Sequence, residues 1–167
     1  VSLGATQDIP AAAAGLTLSN SELAGYASLD AFTLRGYQSI DLVGNASMGS
    51  PQLAKLTLDT PLLRGTENPS TPTTPPQATI MARELTLTNS TANSAAASGG
   101  TGTLAMRADR LLLDAGDKAI AGFAEVSMNA AQRVSVQRAG ALRVGGALTV
   151  ETPSLVAAGG SRQTIAA

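Results

Sequence analysis

The 167-residue chain contains no cysteine, no histidine and no tryptophan, and its only rings are Tyr26, Phe32, Tyr37 and Phe123. Without thiolate or imidazole there is no zinc site of the usual kind, no Cys–His dyad and no Ser–His–Asp triad. Carboxylates and hydroxyls are the remaining catalytic candidates. The missing cysteines remove disulfides but leave the compartment open, since exported bacterial repeat proteins often lack them. Charge is also sparse, with 14% of residues charged and a net charge of −1. Balanced charge and so few stacking rings argue against nucleic acid as a partner. Every apolar run is interrupted well before the roughly 18 residues of a membrane helix, so no membrane span is expected. Val1 opens neither a basic region nor a long apolar stretch, so no signal peptide is expected and the chain looks like a segment of a longer precursor.

What is abundant is small and aliphatic: hydrophobic residues make up 44%, mostly Ala, Leu and Val. They recur in one triplet, aliphatic–polar–aliphatic, as in Phe32-Thr33-Leu34, Ile40-Asp41-Leu42, Leu56-Thr57-Leu58, Leu85-Thr86-Leu87, Val126-Ser127-Met128, Val134-Ser135-Val136 and Leu148-Thr149-Val150. Leu16-Thr17-Leu18 and Leu142-Arg143-Val144 fit as well. Period-two alternation sends the outer residues to one face of a strand and the middle one to solvent. Leu104-Ala105-Met106 and Leu111-Leu112-Leu113 have an apolar middle residue, for which a covering loop is the natural explanation.

Spacing selects the architecture. Phe32, Ile40, Met48 and Leu56 lie on an eight-residue lattice that also passes through Leu16 and Ala24, and Val126, Val134 and Leu142 restart it. Gly, Asn and Asp punctuate the triplets, as at Val43-Gly44-Asn45 and Asp114-Ala115-Gly116. A β-sandwich needs larger facing side chains, and a membrane barrel needs aromatic girdles and longer strands. A helical bundle, which Ala11 to Ala14 would begin, conflicts with the Val/Thr/Ser alternation and the frequent Gly. The pattern predicts an all-β parallel β-helix, a solenoid whose coils bury their apolar face only against one another. At roughly 20–25 residues per coil, about six or seven coils fit, giving a rod about 30 Å long.

Two interruptions divide it. Coils span 1–64; a Pro/Thr-rich excursion runs 65–77; one strand occupies 78–88; a Ser/Ala/Gly-rich loop fills 89–103; and coils resume over 104–167. Proline cannot donate to a ladder, so the first excursion leaves the coil. Rigid coils present such loops for recognition, which makes Glu67, Asn68, Pro69, Pro72, Pro75, Pro76 and Gln77 the candidate contact residues for a partner.

No catalytic, cofactor or metal residue can be nominated. Asp109, Asp114 and Asp117 form the one tight acidic group, but Arg107, Arg110 and Lys118 alternate with them, as in a solvated, charge-balanced turn. Their spacing matches no calcium loop. Glu84 beside Arg83, and Asp30 near Arg35, read as exposed strand-end charges. Gly99-Gly100-Thr101-Gly102 lacks the Lys of a phosphate loop and reads as a linker. Arg133, Arg138, Arg143 and Arg162 make a thin basic stripe toward the C-terminus, a weak signal for acidic glycans. Asn45-Ala46-Ser47 and Asn89-Ser90-Thr91 match the glycosylation sequon.

The stretch Gly102-Thr103-Leu104-Ala105-Met106-Arg107-Ala108-Asp109-Arg110-Leu111-Leu112-Leu113-Asp114-Ala115-Gly116, followed by Lys118-Ala119-Ile120-Ala121-Gly122-Phe123, resembles the shaft of filamentous haemagglutinin-type exoproteins. Gly145-Gly146-Ala147-Leu148-Thr149-Val150 is similar to their degenerate coil repeats. The resemblance implies a right-handed β-helix from a large secreted bacterial surface protein, exported through an outer-membrane two-partner transporter. The expected role is non-catalytic: attachment to a host-cell or bacterial surface receptor, glycan or matrix. The alternatives are a passive spacer presenting a distal tip or contact-dependent toxin and, third, a polysaccharide-cleaving β-helix enzyme.

Overall fold

The computed structural model describes residues 1–5, 15–68 and 73–167. In chain order the elements are β1 (Ser2–Gly4), β2 (Thr17–Ser19), α1 (Asn20–Gly25), β3 (Phe32–Arg35), β4 (Ile40–Val43), β5 (Asn45–Gly49), β6 (Lys55–Asp59) and β7 (Leu62–Thr66). They continue as β8 (Gln77–Thr88), β9 (Gly102–Leu113), β10 (Gly116–Ala121), β11 (Phe123–Val136), β12 (Gly140–Val144), β13 (Ala147–Glu151), β14 (Leu155–Ala157) and β15 (Gln163–Ala166). Ala11 to Ala14 lie outside the described residues.

All pairings are parallel, and the strands stack as a β-solenoid of about five turns, 58% strand and 4% helix. That is fewer than six or seven, because the two excursions and α1 take up residues that would otherwise form coils. One sheet runs β15-β12-β10-β7-β4-β1-β2. The second has two limbs: the short strands β5 and β6 pair with successive halves of the long strand β8, and β13 and β14 pair with successive halves of β11. Three ladders thus surround one interior.

The eight-residue lattice is the geometry of that triangle. Phe32 lies on β3, Ile40 on β4, Met48 on β5 and Leu56 on β6, so successive lattice points visit successive ladders, and 24 residues bring Leu56 into register with Phe32. The tighter coil is present too, since Val126 pairs with Leu148. Inward columns pile like on like, as in Leu34–Leu58–Leu87–Leu113–Val136 and Met48–Ile80–Met106–Met128. These residues form one buried cluster.

At the first rung α1 replaces a strand. Ser19 caps it through a reciprocal box with Glu22, and Leu23 turns inward, while Ala24, the lattice residue, faces out. The Asn20 side chain supplies what a neighbouring strand would, donating to the Asn45 carbonyl at 2.8 Å and accepting from the Ser47 N–H at 3.0 Å. Leu16, expected inward, is exposed. On the last rung the inward positions Val150, Leu155 and Ile165 are also exposed.

Candidate functional site

The two excursions differ in kind. Glu67 and Pro75 are exposed, whereas Pro76 is buried, because its carbonyl accepts from the Thr103 N–H at 2.9 Å and Gly102 packs against its ring. Pro76 is therefore a corner of the coil rather than part of a free loop. Gln77 opens β8, exposed at its side chain with its N–H on the Gly44 carbonyl. Asn68 is half-buried, and Pro69 and Pro72 lie outside the described residues.

Residues 89–101 do not project. β7 pairs directly with β10, so the rung of β8 contributes no strand to the first sheet, and the segment that would have formed it lies on that sheet's outside. The Gly122 N–H donates to the Ser98 carbonyl at 3.0 Å, and the Asn93 amide donates to the Tyr37 carbonyl at 2.7 Å. Ala119, Ala121 and Ala141 are consequently buried without belonging to the interior cluster. The strap covers these alanines, not Ala105 and Leu112, which stay half-exposed on the second sheet. Asn89 is buried with its amide on the Asn93 and Asp117 carbonyls, so its sequon is closed to modification in the folded chain.

Beyond the strap, the outside of the first sheet opens into a trough of about 600 Å³. Its floor is Ser2, Asp41, Val43 and Arg64, with Tyr37 on one wall and Glu67 on the other. Tyr37 stands in the corner between β3 and β4, off the triplet lattice, and is 68% exposed. Its backbone is nonetheless held by the Asn93 amide on its carbonyl. Arg35 donates to Asp59 at 2.7 Å, and Arg64 grips Asp41 in a bidentate fork at 2.9 and 3.0 Å. Of the nominated loop, Glu67 is the residue that lines this trough. An off-lattice ring in a Gly36-Tyr37-Gln38-Ser39 corner was the sequence signal for the rest.

Of the charged groups singled out in the sequence, Arg35, Glu84, Arg110, Asp114, Asp117, Arg138 and Arg143 hold rungs together, whereas Asp30, Arg83, Arg107, Asp109, Arg133 and Arg162 join no ion pair among the described residues. Among the described residues, every ion pair joins neighbouring rungs, including Arg35–Asp59, Arg64–Asp41, Lys55–Glu84, Arg110–Glu84 and Arg138–Asp114. Arg35 therefore meets Asp59 rather than Asp30, and Glu84 meets Lys55 and Arg110 rather than Arg83. The basic stripe is reduced in the same way, since Arg138 and Arg143 pair with Asp114 and Asp117.

The expected solvated turn at Asp114 is instead a buried corner. Asp114 and Lys118 are both buried, with the Lys118 ammonium donating to the carbonyls of Asp114, Ala115 and Gly116 at 2.6, 3.3 and 2.5 Å. Burial lowers the Lys118 pKa to about 8, against the opposing pull of Asp114 and Asp117. Asp114 stands below its ordinary value chiefly because Arg138 donates to both its oxygens. No group of three or more acids that could hold a metal occurs among the described residues.

Comparison with protein-family models, with curated proteins and with solved structures finds no match for this chain.

Proposed function

We propose that this chain is a non-catalytic, adhesive segment of the shaft of a secreted bacterial surface exoprotein of the filamentous haemagglutinin type. In this reading its parent leaves the cell through an outer-membrane two-partner transporter, and the segment contacts a receptor, glycan or matrix component. The observation that carries the proposal is the division of labour among polar groups. Acids pair with arginines and with Lys55 between rungs, at sequence separations of 23 to 29, instead of converging on a reacting centre. A hydrolase or lyase on such a scaffold needs a set of carboxylates facing one cleft, with a hydrolytic pair roughly 5–10 Å apart. Beside scattered charges such as Arg107, Asp109 and Arg133, what remains is surface: a trough with an exposed ring and the carboxylate of Glu67.

The test is binding of the purified chain to epithelial cells, matrix proteins and an immobilised glycan panel, beside a version whose residues 67–75 are replaced by a Gly-Ser turn that keeps the Pro76 corner. Saturable binding weakened by the replacement is the expected result. Absence of binding to every surface by the parent chain overturns the adhesive role and leaves a spacer.

A further inference from the structure

The trough on the first sheet has a composition that narrows what it can hold. Resting on the adhesive reading above, we infer that it takes a neutral, hydroxyl-rich sugar ring stacked on Tyr37. Three observations carry this.

The first is the ring itself. Of the four aromatics, Phe123 is fully buried, Phe32 is packed on the interior and stacked on Tyr26 at 5.1 Å, and only Tyr37 presents most of its surface to water. An exposed ring ordinarily costs the entropy of fixing it when a ligand arrives. The corner that carries Tyr37 is already fixed through its backbone by the Asn93 amide, so a flat apolar platform is held at the trough. The apolar face of a pyranose is the complement of such a platform, with the polar tip of tyrosine left at the rim.

The second is charge. Both arginines of the trough are engaged by carboxylates, Arg64 through a fork and Arg35 through Asp59, while Glu67 is exposed. Among the described lining residues both side-chain cations are already paired, and the Val1 ammonium is held on the Ser39 carbonyl at 3.1 Å. An acidic glycan would have to break an existing pair, whereas hydroxyls can add to it. The half-exposed Arg64–Asp41 pair retains unused donors and lone pairs, and the exposed Gln38 amide offers one of each kind.

The third is the contrast with other concave sites among the described residues. Two other troughs, of about 350 and 330 Å³ on the second sheet, have no aromatic lining, and the space beside Lys118 is about 20 Å³, room for no more than a water. At about 600 Å³ the trough on the first sheet lies within the usual range of small-ligand sites, roughly 300–1,000 Å³, and it is open enough to admit the end of a longer chain.

The experiment is a titration followed by saturation-transfer NMR, using lactose, maltose and chitobiose as neutral probes and sialyllactose and a sulfated heparin disaccharide as acidic ones. It is run at low and high salt on the parent, Tyr37→Ala and Tyr37→Phe, with thermal melts confirming that each is folded. The expected result is millimolar binding of at least one neutral probe, insensitive to salt, weakened tenfold or more by Tyr37→Ala and retained by Tyr37→Phe. Binding confined to the acidic probes, or binding indifferent to Tyr37→Ala, overturns the inference. So does absence of sugar binding by a chain that still attaches to cells or matrix, and that outcome leaves the adhesive reading standing.

Discussion

The ring of Phe123 occupies the space that a side chain at Gly65 would need. A Cβ on Gly65 would lie 2.6 Å from two carbons of that ring, yet Gly65 sits in register with Leu42, an inward leucine of the rung before. The column therefore carries a leucine and then a glycine whose missing side chain is supplied by a ring from β11. Phe123 can reach there because β11 bulges at Ala124, where its register with β9 shifts by one residue.

This predicts paired effects. Gly65→Ala overpacks the site and costs about 1–3 kcal/mol, and Phe123→Ala opens a cavity and costs about 3–5 kcal/mol. Placing Gly65→Ala in a Phe123→Leu background should cost less than in the parent, because the shorter side chain makes room. Urea denaturation of the four chains gives the coupling directly, and additive costs would disprove the complementarity.

A second prediction concerns acid. Burial pushes the Asp59 carboxyl up, but two hydrogen bonds from Ser90 and the Arg35 guanidinium outweigh it, so the group ends below its ordinary value. Asp114 is lowered by Arg138 first, against burial, with help from the Ala115 N–H and the nearby charges of Arg138 and Lys118. Carboxyls depressed on folding stabilise the fold above their unfolded value, about 3.9, and that contribution disappears as pH falls through the folded values. Asp59→Asn and Asp114→Asn should therefore lower the urea midpoint at pH 7, and the gap to the parent should close as pH falls through the folded values of the two carboxyls. Parallel curves across that range would show that the pairs contribute nothing.

The repeat was legible because interior columns obey period two and the turn obeys a near-constant length. Phe32, Ile40, Met48 and Leu56 announce three ladders, and Val126 with Leu148 announces a register, without any knowledge of contacts. What depends on the rung above was hidden. Asp114 is spaced like a surface acid and becomes buried only because Arg138 and Gln163, on later rungs, close over it. Ala119 and Ala121 look like interior residues, yet they face out and are covered by the strap of residues 89–101. The insertion of β1 between β2 and β4 reverses chain order and leaves no mark in local pattern. Of the trough, Glu67 was visible in a proline-rich excursion, whereas Arg64 and Asp41 looked like ordinary strand polars, since their meeting requires the stacking itself.

Lys118 gives a third prediction, opposite in sign to the acids. Its folded pKa of about 8 lies below the roughly 10.4 of an unfolded lysine, so between these values the folded chain binds fewer protons. Its contribution therefore makes the fold more stable as pH rises from about 8 to about 10.4. Lys118→Met removes that rise and takes one donor from each of three carbonyls, of which Asp114 keeps Gln163 and Ala115 keeps Asn89, costing about 1 kcal/mol at pH 7. The difference between parent and variant, measured by urea denaturation at each pH, should widen across the window. A constant difference would place the ammonium in water rather than in the corner.

The strap gives the last. A Cβ on Gly145 would stand 2.1 Å from the Ser98 backbone, and backbone cannot swing aside as a side-chain tip can. Gly145→Ala should lift the strap where it crosses β10 and β12 while leaving the ladders of β8, β9 and β11 intact, since those strands pair with one another and not with the strap. The amide to watch is Gly122, whose partner is the Ser98 carbonyl at 3.0 Å. Its hydrogen exchange should accelerate by an order of magnitude or more in the variant, with amides of Ile80, Met106 and Met128 unchanged. Tyr37 shares the strap through Asn93, so the sugar titration repeated on Gly145→Ala should show weaker stacking as the platform loses its anchor. If Gly122 accelerates together with the ladder amides, the strap is part of the solenoid's cooperative core and not a separate layer laid over it.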